Sequence, residues 1–125
     1  MAMGEKISVL RGQEATVQVR LRLRSTVDDS LSEVDLSGSP SLTWRAVSDL
    51  GNAPASTWIE KTSGNSEISV ITDGTSGSEA VIQLSLTEGD TDTARKGWWV
   101  CWMVKGGATT PFRPGKFEIE GYPTL

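Results

Sequence analysis

The stretch ATVQVRLRLR, Ala15 to Arg24, alternates without a break. Val17, Val19, Leu21 and Leu23 fall on one face of an extended chain, and Gln18, Arg20, Arg22 and Arg24 fall on the other. A helix would scatter those arginines around its circumference, so the stretch reads as a half-buried strand, and its Val and Thr suit a pleated surface. The same period of two recurs at Lys6–Leu10, Ser41–Val47, Thr57–Lys61, Glu67–Thr72, Glu79–Leu86, Lys96–Lys105 and Gly115–Glu120. In these, Trp44, Ile68 with Val70, Ile82 with Leu84, and Phe117 with Ile119 take the apolar positions. Turn-rich segments separate them: SGNS at Ser63, DGTSGS at Asp73 and KGGATTPFRPG at Lys105. No sustained helical pattern interrupts the series. Thr87 to Arg95 reads as a corner loop, and Ser25 to Pro40 as a polar connection over the surface. The expected fold class is all-β: an antiparallel sandwich or barrel of seven to eight strands.

At 125 residues the chain is expected to form one domain over 1–125, with a core large enough to need no metal or disulfide. One cysteine excludes an intramolecular disulfide, and Cys101 among large apolar neighbours reads as a buried, inert thiol. The net charge of −4 lacks the basic footprint of a nucleic-acid binder and gives no attraction to anionic lipid. No stretch approaches the about 20 apolar residues of a membrane helix, and Glu5 and Lys6 stand where a secretory leader would need apolar residues.

Catalytic chemistry has little to build on. Without histidine, Ser-His and Cys-His nucleophile pairs and histidine-ligated zinc sites are excluded. No glycine-rich segment has phosphate-loop spacing. Glu88, Asp90 and Asp92 alternate in the Thr87–Arg95 corner, but the twelve-residue calcium pattern is missing and they read as a solvated corner. No cofactor and no enzymatic activity are expected.

The segment KGWWVCWMVKGG breaks the half-wet rule for an antiparallel sheet. Trp98, Val100, Trp102 and Val104 lie on one face, and Trp99, Cys101 and Met103 on the other. Both sets are apolar. Loops could fold over the outer set, arginine stems from a neighbouring strand could lie across its rings, or the outer set could be a contact surface. Trp98 and Trp102 are assigned to the core, which leaves Trp99, Met103 and the nearby Phe112 as expected contact residues. Arg20, Arg22 and Arg24 form a secondary stripe, paired with Glu118 and Glu120 if it is only a solvated face. A strand that is apolar on both sides does not declare its inner face, so the reverse facing is the alternative.

The order ISVLRGQEATVQVRL, DLSGSPSLTWRAV, IEKTSGNSEISV, AVIQLSLTEGDT, GWWVCWMVKGG and PGKFEIEGYPTL resembles small immunoglobulin-like β-sandwich domains of tailed-bacteriophage virion proteins, such as baseplate upper proteins. The likeness runs from Ile7 to Leu125 through Gly12, Leu36 to Gly38, Trp44, Asp90 with Thr91, Gly97 with Trp98 or Trp99, and Gly115 to Ile119. Its motifs are turns and core positions, and this chain crowds three tryptophans where the family usually places one aromatic. The resemblance implies an immunoglobulin-like sandwich that docks in many symmetry-related copies on other phage structural proteins at a tail, baseplate, neck or capsid. It also implies a virion location after assembly in the host cytoplasm. A carbohydrate-binding module that takes a host-surface glycan is the main alternative, and an accessory module of a bacterial secreted system is another. Trp44→Ala and Trp98→Ala are each expected to cost about 3–5 kcal/mol of stability. Urea midpoints unmoved in both would refute the inward assignment.

Overall fold

The computed structural model describes residues 4–22, 34–52, 56–75 and 79–121. Among them the alternating stretches become β1 Ile7–Leu10, β2 Ala15–Leu21, β3 Ser41–Val47, β4 Thr57–Thr62, β5 Ile68–Asp73, β6 Ala80–Leu86, β7 Arg95–Lys105 and β9 Gly115–Glu120. A further strand, β8 Ala108–Pro111, lies inside the turn-rich KGGATTPFRPG. Gly106 and Gly107 have φ of 59° and 81°, the positive pair that lets a two-residue turn follow strand twist, and β8 folds back on β7 from there. Four residues with a terminal proline carry too little alternation to announce a strand.

The strands form two sheets. The larger runs β1-β9-β7-β3-β4, with β8 also on β7, and the smaller runs β2-β6-β5. β9 and β8 share one side of the long β7: β9 pairs along Arg95 to Trp99 and β8 along Trp102 to Lys105. The expected antiparallel order holds everywhere except at β1. Its Ile7 to Leu10 pair in parallel with Phe117 to Glu120, so the larger sheet is mixed. Alternation marks a strand but is silent on the direction of its neighbour. Gly12, at φ 77°, then turns the chain out of β1 toward β2 in the other sheet.

The core lies between the sheets. β3 contributes Leu42, Trp44 and Ala46, β9 contributes Phe117 and Ile119, β2 contributes Val19 and Leu21, and β6 contributes Ala80, Ile82, Leu84 and Leu86. Trp44 meets Phe117 edge to face at 5.4 Å between ring centroids. A register shift between Ala46 and Val47 leaves Trp58 as an extra residue on β4, and its ring packs on the core 5.6 Å from Phe117.

Three local expectations change. Val70, expected inward with Ile68, is 41% exposed beside exposed Ile71, at the point where β5 shifts register between Val70 and Thr72. Within the expected surface connection, Val34 and Leu36 are buried in the core, while 25–33 lie outside the described residues. Asp35 points the other way. Its carboxylate accepts the Ser37 hydroxyl and backbone N–H, and with Lys105 these hold its pKa down to about 2. Leu36 donates its backbone N–H to Asp73 at the end of β5, which draws both apolar neighbours inward.

The facing of β7 is the main correction. Trp99, Cys101 and Met103 point into the core, and Trp98, Val100 and Trp102 are half-buried on the outside with Val104 exposed. Trp98 and Trp102, expected in the core, therefore face outward. Trp99 lies over its cross-strand partner Gly115 and donates its indole N–H to the Glu5 carbonyl at 2.8 Å. A Cβ at Gly115 would collide with the Trp99 indole nitrogen and the Glu5 carbonyl. Gly115→Ala is thus expected to cost about 1–3 kcal/mol by overpacking. Trp99→Ala should cost about 3–5 kcal/mol, whereas the outward Trp98→Ala should cost distinctly less, as measured by urea unfolding.

Candidate functional site

Pairing registers fix which side chains share the outer face of the larger sheet. Along β7 run Trp98, Val100, Trp102 and Val104. Opposite them on β3 stand Val47, Arg45, Thr43 and Ser41, and on the other side stand Lys116 of β9 and Thr109 and Pro111 of β8. An apolar row along the middle of a sheet face, flanked by polar side chains except at Val47 and Pro111, has the anatomy of an interface core with a polar rim.

The protein covers part of this row itself. Val47 is fully buried opposite Trp98. Leu50, in the short 3₁₀ turn Leu50–Asn52, lines a groove together with Val100, Trp102, Thr109, Pro111 and Pro114. The groove holds about 350 Å³. The Arg45 guanidinium lies 5.0 Å from the Trp102 ring centroid and is held by Glu60 at 2.6 Å. Both devices foreseen for covering an outer set are therefore present, a loop and an arginine. They act on Trp102 rather than Trp99, and the arginine comes from the neighbouring strand β3.

The expected contact residues divide. Trp99, Met103 and Phe112 lie in the core. Phe112 is drawn in because its backbone N–H bonds Cys101 at 3.0 Å while Arg113 bonds Arg22 at 2.9 Å, so this segment closes one side of the sandwich between β7 and the end of β2. Arg20 and Arg22 stand together on the smaller sheet, and Arg24 lies outside the described residues. Glu118 and Glu120, the expected partners, belong to the other sheet. Glu79 takes their place and bridges Arg20 at 3.2 Å and Arg22 at 3.0 Å. The Arg20 pair is exposed and contributes little stability, while the Arg22 pair is half-buried.

One cluster escaped the sequence reading. Lys61 follows Ile59 at a spacing of two on β4 and so points inward, next to Trp44 in the register. It is 5% exposed. Its ammonium meets Asp90 Oδ2 at 2.6 Å and Glu67 Oε2 at 3.4 Å. Asp90 sits in the corner after β6. There it accepts the Thr87 backbone N–H at 2.8 Å and returns its own N–H to the Thr87 hydroxyl at 3.1 Å. Burial opposes the charge on Asp90, but Lys61 and Thr87 outweigh it and hold the carboxyl below its ordinary range. The Thr91 hydroxyl donates to the Gln13 carbonyl and pins the same corner to the turn before β2. A charged residue in phase with core positions was the signal that could have disclosed this cluster, because a buried lysine requires partners.

Asp90 is therefore not one of a set of solvated carboxylates, and among the described residues no group of three or more acids or cysteines is arranged to hold a metal ion. Burial pushes the Cys101 thiol well above its ordinary pKa, which disfavours the reactive thiolate.

No family model matches the chain. No curated protein matches it either. What the findings define is a small all-β domain of two sheets.

The two faces of β7 should respond differently to polar substitution. Met103→Ser is expected to lose about 2–4 kcal/mol, and Val104→Ser about 0.5 kcal/mol or less. Equal losses in urea denaturation would contradict the facing described here.

Proposed function

We propose that the chain is a non-catalytic, immunoglobulin-like building block of a tailed-bacteriophage virion, docked in many symmetry-related copies on other phage structural proteins. The observation that carries the docking reading is the outward apolar row Trp98, Val100, Trp102 and Val104 with its adjoining groove. Trp98, Trp102 and Val104 replace Trp99, Met103 and Phe112 as the contact residues in this reading.

Strand order supports the immunoglobulin-like part. Variable-type domains of that fold place their G, F, C and C′ strands against B, E and D. Taken in chain order, β9, β7, β3 and β4 against β2, β6 and β5 follow the same division. That fold also has a strand-C tryptophan packed on a disulfide that includes a strand-F cysteine. Trp44 on β3 lies directly opposite Cys101 on β7, the equivalent places, and with only one cysteine the opposing sheet offers aliphatic residues instead. The phage assignment rests on the sequence resemblance. For the glycan alternative, the guanidinium over Trp102 is unfavourable, since sugar stacking needs a bare ring face.

The test is co-purification. Tagged chain supplied during phage production should sediment with intact particles in a density gradient, and a Val100→Lys, Val104→Lys variant with unchanged circular dichroism should drop out of the particle band. A wild-type chain found only in the soluble fraction would overturn the virion reading.

A further inference from the structure

We propose that Lys61 and Asp90 condense spontaneously into an intramolecular amide, with Glu67 as the proton carrier. This site is separate from the docking face and does not depend on that reading. Three observations converge on it. Lys61 is an amine buried inside the sandwich, and its Nζ touches Asp90 Oδ2 at 2.6 Å. A second carboxylate, Glu67 Oε2, stands 3.4 Å from the same nitrogen. Asp90 is clamped from both ends by Thr87, so the carboxyl is held in front of the amine rather than free to swing away.

Chemistry at this cluster follows from the pieces present. Glu67 carries a proton from the ammonium to Oδ1 of Asp90, which frees the nitrogen lone pair and makes the carboxyl a neutral electrophile. The amine attacks Cγ of Asp90, and the Thr87 backbone N–H, 2.8 Å from Oδ2, stabilises the negative charge that develops on that oxygen. The protonated Oδ1 leaves as water after Glu67 relays to it a second proton, from the attacking nitrogen. An N–C bond forms, a C–O bond breaks, and one ammonium and one carboxylate become one neutral amide and one water. No oxidant, metal or other reactant enters. Two effects favour the step. Holding the groups in contact supplies an effective concentration of about 10⁵ M or more in well-oriented cases. Replacing a buried ion pair with a neutral amide also removes the desolvation cost of two charges. The product would tie β4 of the larger sheet to the corner that leads from β6 into β7, and so link the two sheets covalently.

Intact-mass spectrometry of the purified, denatured full chain reads the outcome directly. The expected result is a mass lighter than the sequence by one water, with a branched peptide after digestion that joins the segments containing Lys61 and Asp90. A mass equal to the sequence would leave an ion pair only and overturn the proposal. So would a water loss mapped elsewhere, such as a succinimide at Asp73-Gly74. Glu67→Gln should regain the full sequence mass while keeping its circular dichroism. If that variant condenses as completely as the parent, the role given to Glu67 is wrong.

Discussion

A single indole hydrogen bond sets the geometry on which the rest depends. β7 is apolar on both faces, so hydrophobic burial alone leaves its facing nearly degenerate. Trp99 breaks the tie. Its ring fits the notch that Gly115 leaves on the neighbouring strand, and its N–H reaches the Glu5 carbonyl. Trp98, one position away, lies opposite Lys116, whose side chain leaves no such notch. Burying an indole donor with its partner in place avoids the penalty of an unmet hydrogen bond. The facing of every other residue on β7 follows, since side chains alternate strictly along a strand.

Glu5 does more than receive that bond. Its side chain accepts the Arg20 backbone N–H at 2.7 Å on β2, while its main chain holds Trp99 of the larger sheet. The Phe112–Pro114 segment works in the same place, bonding Cys101, Arg22 and Gly4 through its backbone. One side of the sandwich is thus closed by hydrogen bonds in which backbone groups take part. The corner after β6 and Lys61 do comparable work elsewhere, with Thr91 reaching Gln13 and Asp90 reaching Lys61. Side-chain packing fills the space between the sheets, and these polar ties hold their relative position.

The same facing decides what the surface presents. With Trp99 inside, Trp98 and Trp102 have no room in the core. They are only half covered, by Leu50, Arg45 and their own neighbours. The docking reading therefore moves one residue along the strand without losing its basis. A chain with two apolar faces on one central strand can bury only one of them in its own core.

Alternation by itself determined the all-β class and the approximate bounds of β2, β3, β6 and β9, because a period of two is a local property that each residue carries with it. The doubled apolar faces of β7 were also legible as an anomaly. Tertiary structure alone decided which of those faces is core, that β1 runs parallel to β9, that β8 exists, that Glu79 rather than Glu118 meets the arginines, and that Lys61 finds Asp90 and Glu67. Apart from the local β8 hairpin, each of these depends on which distant segments become neighbours. A pattern read along the chain shows which way a side chain points relative to the next, but not what stands opposite it.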